Sequence, residues 1–226
     1  FPITAEFADW AFCRLPSPST FVFCSEALKA HSGPLLAQRS PNVPQTVVYN
    51  AICTETFAPP PRSNDAELRT TGTPARREPR GHCEDGQECP SYFRNSTRKR
   101  VGIVANLLRV KGHEDFLCMA AALTQRGNNA QYDIAGTEGD DGWEQHLRDL
   151  STELGLDDRV RFHGRVNNIP ALLAELDVVV CASHVEPFGR CLIEAMSCEV
   201  AVVGTNVDGI PEAVGNAGPL VPPNEP

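Results

Sequence analysis

The stretch Val178-Val179-Val180-Cys181-Ala182-Ser183-His184-Val185-Glu186-Pro187-Phe188-Gly189-Arg190-Cys191-Leu192-Ile193-Glu194-Ala195-Met196 decides the fold. Its β-branched start, ending at Cys181, Ala182 and Ser183, reads as a buried parallel strand reaching its carboxyl end. In an open α/β sheet, ligands bind at that end. Pro187 and Gly189 mark a tight turn, and glycine lets a ligand approach the backbone. Beyond it, Leu192, Ala195 and Met196 stand at the i, i+3, i+4 spacing of a helix face. The unpaired N–H groups of that helix start, from Phe188 to Cys191, form a site that favours phosphate.

Two carboxylates frame the turn. Glu186 precedes it, beside any bound ligand, whereas Glu194 falls in the second helical turn, where a carboxylate can accept bonds from a hydroxyl pair such as ribose. Glutamates eight apart are ordinarily just solvated. A phosphate site flanked by two hydroxyl acceptors suggests a nucleotide-sugar.

Outward from this stretch the chain alternates strand and helix signals. Val101–Ala105, Tyr132–Gly136, Arg159–Phe162, Val178–Cys181 and Val200–Val203 read as strands, separated by helix faces at Phe116-Met119-Ala120-Leu123, Leu147-Leu150-Leu154 and Leu172-Leu173-Leu176. Five such strands imply an α/β fold, a Rossmann-like doubly wound parallel sheet with right-handed crossovers. Nearer the start, Phe21–Phe23 and Val47–Tyr49 read as two more strands, with Ser25 placed to cap the helix between them. From Ala58 to about Ser96, Pro, Arg, Gly, Thr and Glu replace the large aliphatics. That composition reads as a disordered or loosely held insertion.

A chain of 226 residues, 41% hydrophobic, can bury a sizeable core. Its formal net charge of -9 argues against nucleic-acid partners and against a broad membrane-surface footprint. No apolar run approaches the roughly 20 residues of a membrane span; peripheral membrane contact of a longer parent is left open. Of nine cysteines, Cys118, Cys181, Cys191 and Cys198 sit within apolar elements, which favours a reducing, cytoplasmic setting over a disulfide framework. His82, Cys83 and Cys89 lack the spacing of a zinc site, and the Asn95-Ser96-Thr97 sequon has no signal peptide beside it. The start at Phe1 and the end just past a strand signal at Leu220-Val221 lead us to expect truncation at both ends.

From about Phe21 to Phe57 and from Lys99 to Pro223, the order of landmarks resembles glycosyltransferase family 4, the retaining enzymes of the GT-B fold. The landmarks are Val22–Ser25, Val47–Asn50, Lys111-Gly112, Gly136, Val160–Gly164, Ser183–Glu194 and Gly209–Glu212. The resemblance implies that residues 99–226 are an incomplete C-terminal donor-binding domain, 58–98 an insertion, and 1–57 a remnant of the N-terminal acceptor domain. It implies catalytic roles for Lys111, on the donor diphosphate, and Glu186, beside the transferred sugar. Phe188, Gly189 and Arg190 match the turn that holds the diphosphate or sugar, and Glu194 matches the glutamate on ribose. The base is expected near Arg165 and Val166. No metal and no cofactor are implied, the nucleoside-diphosphate sugar being a substrate and the hydroxyl acceptor unknown.

Some positions depart from the family pattern. Asn106 stands where a second diphosphate-binding arginine is usual, Glu199 and Ala201 stand where Gly and Pro are usual, and Asp208 replaces a glycine. An intact relative would be a retaining hexosyltransferase, the present chain being expected inactive alone. A non-catalytic nucleotide-sugar-binding module, or a sugar-nucleotide epimerase of related fold, are the competing readings. His184 is read as a loop residue shaping the pocket, His113 as helping to start a helix, His163 as structural, and Asp177 as a solvent-facing turn residue.

Overall fold

The computed structural model describes residues 20–39, 41–58 and 98–223. Residues 1–19 and most of the expected insertion, with His82, Cys83, Cys89 and Asn95, lie outside the described residues.

The N-terminal part is a small β-α-β unit. Strands β1 (Phe21–Phe23) and β2 (Gln45–Val47) pair in parallel, joined by helix α1 (Glu26–Arg39). Ser25 begins α1 as its residue type predicts, its Oγ accepting from Leu28 N at 3.1 Å. The second strand ends sooner than expected: Val48 still donates to Phe23 O at 2.8 Å, but Val48 and Tyr49 run on as exposed chain.

The larger part is one six-stranded parallel sheet. Its elements, in chain order, are β3 (Arg100–Val104), α2 (His113–Gln125), β4 (Gln131–Ala135), α3 (Trp143–Glu153), β5 (Val160–Gly164) and α4 (Ile169–Glu175). They continue as β6 (Val178–Cys181), α5 (Arg190–Ser197), β7 (Ala201–Thr205), α6 (Ile210–Val214) and β8 (Leu220–Val221). The spatial order is β5-β4-β3-β6-β7-β8. The chain starts at the centre, steps out to β5, then crosses back to lay β6 on the other side of β3. The boundary between β3 and β6 is therefore the topological switch point, where a crevice opens at the strand ends.

Burial on both faces explains the unbroken apolar strands. In β6, Val178 and Val180 belong to a core with Ile103, Phe116, Leu117 and Tyr132, while Val179 and Cys181 belong to a second core with Leu173, Leu192, Val202 and Ile210. Successive strand residues point to opposite faces, so neither face tolerates polar side chains. Each fully buried Leu, Ile or Phe in these cores contributes about 1.5–3 kcal/mol.

The strand signal at Leu220-Val221 joins the five strands as a sixth, on β7 in register Gly204↔Leu220. One expectation changes here. Asp177 does not face solvent as a turn residue: it accepts from Arg100 N at 2.9 Å and Lys99 Nζ at 3.0 Å. The first amide of a parallel strand needs an acceptor, and the Asp177 carboxylate supplies it at the β3–β6 seam. Nearby, Arg100 grips Asp133 with Nε at 3.0 Å and Nη2 at 2.8 Å, and also pairs with Glu175. These carboxylates hold the Arg100 guanidinium well above its ordinary pKa, Asp133 first. His163 Nε2 lies 2.7 Å from the same Asp133, a structural contact on the side of the sheet core.

Candidate functional site

A cleft of about 650 Å³ opens at the C-terminal ends of β3, β4 and β6. Asn106, Lys111, Val166, Glu186, Arg190 and Glu194 all line it, joined by Thr137, Arg165, Ser183 and Cys191. Phe188 and Gly189 do not line it. Phe188 is buried with its ring 5.8 Å from that of Tyr49. Gly189 caps α5 at φ 84 and donates its N–H to Glu186 Oε1 at 3.1 Å.

Lys111 reaches the cleft through a short 3-10 turn, Arg109–Lys111, followed by Gly112. Gly112 has φ 68, and a Cβ there would meet Ala182 O at 1.9 Å. Only glycine lets this turn press against the end of β6. His184 N reinforces the contact by donating to Val110 O at 2.8 Å, and His184 Nε2 lies 2.6 Å from Asp115 Oδ2. The Lys111 ammonium then meets Glu186 Oε2 at 2.7 Å.

Glu186 is held from several directions. Ser183 Oγ donates to its Oε2 at 3.4 Å, Asp208 Oδ2 accepts from its N–H at 2.9 Å, and its carbonyl accepts from Gly209 N at 3.2 Å. Asp208, a potential anion in the pocket, is exposed outside the cleft lining and serves as this backbone cap. Thr205 Oγ1 donates to Ser183 O at 2.6 Å, tying the loop to β7. Preorganisation of this kind holds a polar group in place without a cost at the moment of binding.

Glu194 is 7% exposed, on the cleft-facing side of α5. Arg190 Nε donates to its Oε1 at 2.9 Å. Its Oε2 has no hydrogen-bond partner among the described residues, which leaves an acceptor for hydroxyl groups. Asn106 lines the same cleft, its Oδ1 accepting from Thr137 Oγ1 at 3.2 Å.

Outside the cleft lining, His113 is the first residue of α2, in line with its reading as a helix-starting residue; it is fully buried, and burial pushes its pKa down to about 4. Its ring lies beside the Ala105 and Leu108 backbone, with no hydrogen bond of normal geometry. Cys191 faces the cleft next to Cys181, and that neighbouring thiol together with burial pushes the Cys191 thiol well up. Thr137 carried no signal beyond standing just past a strand end, whereas Ser183 opens the Ser183–Glu194 landmark. Among the described residues, no three His, Cys, Asp or Glu side chains gather as a metal site. Nor is any described helix long and apolar enough to cross a membrane.

A doubly wound parallel sheet with a cation, two carboxylates and a helix start converging at its switch point defines a Rossmann-like domain with a polar crevice at the strand ends. The chain belongs to the glycosyl transferases group 1 family, whose model matches residues 87–226. It is 33% identical over 143 residues to the 2-deoxystreptamine N-acetyl-D-glucosaminyltransferase of Streptomyces fradiae, covering 60% of this chain and 34% of that protein. It is 29% identical over 175 residues to the lipopolysaccharide core biosynthesis mannosyltransferase LpsB of Rhizobium meliloti, covering 76% and 44%. Among solved structures, Anabaena Alr3699/HepE in complex with UDP and glucose superposes with a TM-score of 0.72 at 25% identity, covering 98% of this chain and 53% of that one. The chain thus spans well under two thirds of the length of these proteins.

Proposed function

We propose that this chain carries the donor half-site of a retaining glycosyltransferase of family 4 type, which moves a hexosyl group from a nucleoside diphosphate to a hydroxyl acceptor. The observation that carries it is the convergence of Lys111, Glu186 and Glu194 on one cleft above the start of α5. Relatives named as glycosyltransferases, and a structural neighbour solved with UDP-glucose, support a nucleotide-sugar as the ligand.

In this reading the bond between the anomeric carbon and the diphosphate breaks, a bond to the acceptor oxygen forms on the same face, and the acceptor's proton passes to the departing diphosphate oxygen. Negative charge builds on the departing diphosphate. Lys111 and the first-turn amides of α5 stabilise it, so no metal or cofactor is required. Glu194 takes the ribose hydroxyls through Oε2, Val166 flanks the base, and Glu186 orients the sugar ring. Residues 1–57 are read as the remnant of an acceptor domain and the setting as cytoplasmic.

Calorimetric titration of the chain with UDP, GDP and ADP tests the donor site: one of them binds at micromolar to millimolar concentration. A folded chain that binds none at millimolar concentration would overturn the reading. Turnover in a parent protein with both domains, its anomeric product read by NMR, separates a retaining transferase from an epimerase. A parent that binds donor and turns nothing over would instead be a binding module, the outcome that Asn106 in place of a cation favours.

A further inference from the structure

Three cations line the cleft: Lys111, Arg165 and Arg190. Two of them already face carboxylates, Lys111 at 2.7 Å from Glu186 and Arg190 at 2.9 Å from Glu194. Arg165 alone has no hydrogen-bond or carboxylate partner among the described residues. A diphosphate carries more negative charge than one half-neutralised lysine offsets, and Asn106 contributes no charge, its Oδ1 already accepting from Thr137. The cleft's uncompensated positive charge is therefore at Arg165.

Its position agrees with a role toward the diphosphate. The β4–β5 pairing is regular from Tyr132↔Val160 to Ile134↔Phe162, then slips by a residue so that Ala135 faces Gly164. An extra residue of this kind bends a strand and re-aims the side chains beyond it. Gly164, at φ 61, turns the chain further, and its carbonyl accepts from Gly136 N at 2.9 Å. Arg165 thereby leaves the sheet beside Gly136-Thr137, whose hydroxyl holds Asn106. Arg165 and Asn106 come after strands two apart in the sheet, a backbone separation of about 10 Å. An extended arginine reaching to a phosphate oxygen covers that span.

We propose that Arg165 supplies the second cation for the nucleoside diphosphate, in place of the charge missing at Asn106. The assignment rests on the donor-site reading above. It makes Arg165 a diphosphate-binding residue and not merely a neighbour of the base.

The test uses the whole chain, with whichever of UDP, GDP and ADP binds the wild type, and the matching nucleoside, titrated at two salt concentrations. In Arg165→Ala the nucleoside diphosphate binds about 10-fold more weakly, the loss expected for one charge-assisted hydrogen bond. Nucleoside affinity is unchanged, and the salt dependence of diphosphate binding becomes shallower. Adding Asn106→Arg to Arg165→Ala restores most of the affinity. Diphosphate affinity within twofold of wild type overturns the assignment, as does an equal loss for nucleoside and diphosphate, which would place Arg165 on the base. Circular dichroism melts of each variant confirm that a loss is not unfolding. A wild type that binds no nucleotide would defeat the donor reading itself, and this assignment with it.

Discussion

Lys111 Nζ lies 2.7 Å from Glu186 Oε2, joining two residues 75 positions apart in the chain. Both side chains are mostly buried, 21% and 14% exposed. Without a ligand the cation is therefore neutralised by a carboxylate from the neighbouring loop. Under the proposed donor reading, a diphosphate entering the cleft competes with Glu186 for the same ammonium.

That competition gives the two partners opposite signs. Lys111→Ala should weaken nucleoside-diphosphate binding by about 10- to 100-fold, one or two decades for a charged contact in a partly buried site. Glu186→Gln should tighten it severalfold, since an amide competes less well for the lysine, while abolishing most transfer in a two-domain parent. Calorimetry on both variants checks the pair. A weaker diphosphate complex in Glu186→Gln would show that Glu186 is not the competing group.

Arg190 occupies Oε1 of Glu194, and the proposed donor reading gives Oε2 to the ribose hydroxyls. Glu194→Ala should lower affinity for the ribonucleotide by about 10-fold and leave the 2′-deoxyribonucleotide less affected. Equal losses for both sugars, or none, would remove the ribose role.

The fold was readable because its signals are local. Val178–Cys181 is apolar at every position because both faces of β6 are buried, and a run of that kind has few alternatives. The extent of β2 depends on its pairing with β1, which runs from Gln45 to Val47 and not on to Tyr49. For the site, Lys111, Glu186 and Glu194 could be named from their order along the chain, and the cleft brings them together. Their pairings could not be named. The Lys111–Glu186 contact exists because Gly112 lets one turn press against Ala182, and the Asp208 cap on Glu186 spans 22 residues. Asp177 looked like a turn residue for the same reason: the amide it satisfies belongs to a strand 77 residues earlier.

The two glycine-replacing departures fall on the left-handed backbone. Glu199 at φ 58 and Asp208 at φ 42 are the only non-glycine residues with positive φ among the described residues. A side chain in that conformation costs about 1 kcal/mol or more. Asp208→Gly should gain less than that, because it also removes the 2.9 Å contact to Glu186 N. A full gain of about 1 kcal/mol, seen as a rise in Tm, would mean that the Asp208 cap contributes nothing.

His113 sets an acid limit on the domain. Its ring is fully buried and its pKa is pushed down to about 4 from an ordinary value near 6.5, because burial disfavours the charged form. Between those two values the unfolded chain binds a proton that the folded chain refuses, so stability falls as pH falls. The contribution is fully present above pH 6.5, about 2 kcal/mol of it is lost by pH 5, and about 3 kcal/mol by pH 4. His113→Asn removes the titrating group, so although it melts lower at pH 7.5, its stability should change less between pH 7 and pH 5. Urea unfolding of both chains at pH 7, 6 and 5 measures the difference. Parallel pH dependence in the two would show that His113 does not carry the acid sensitivity.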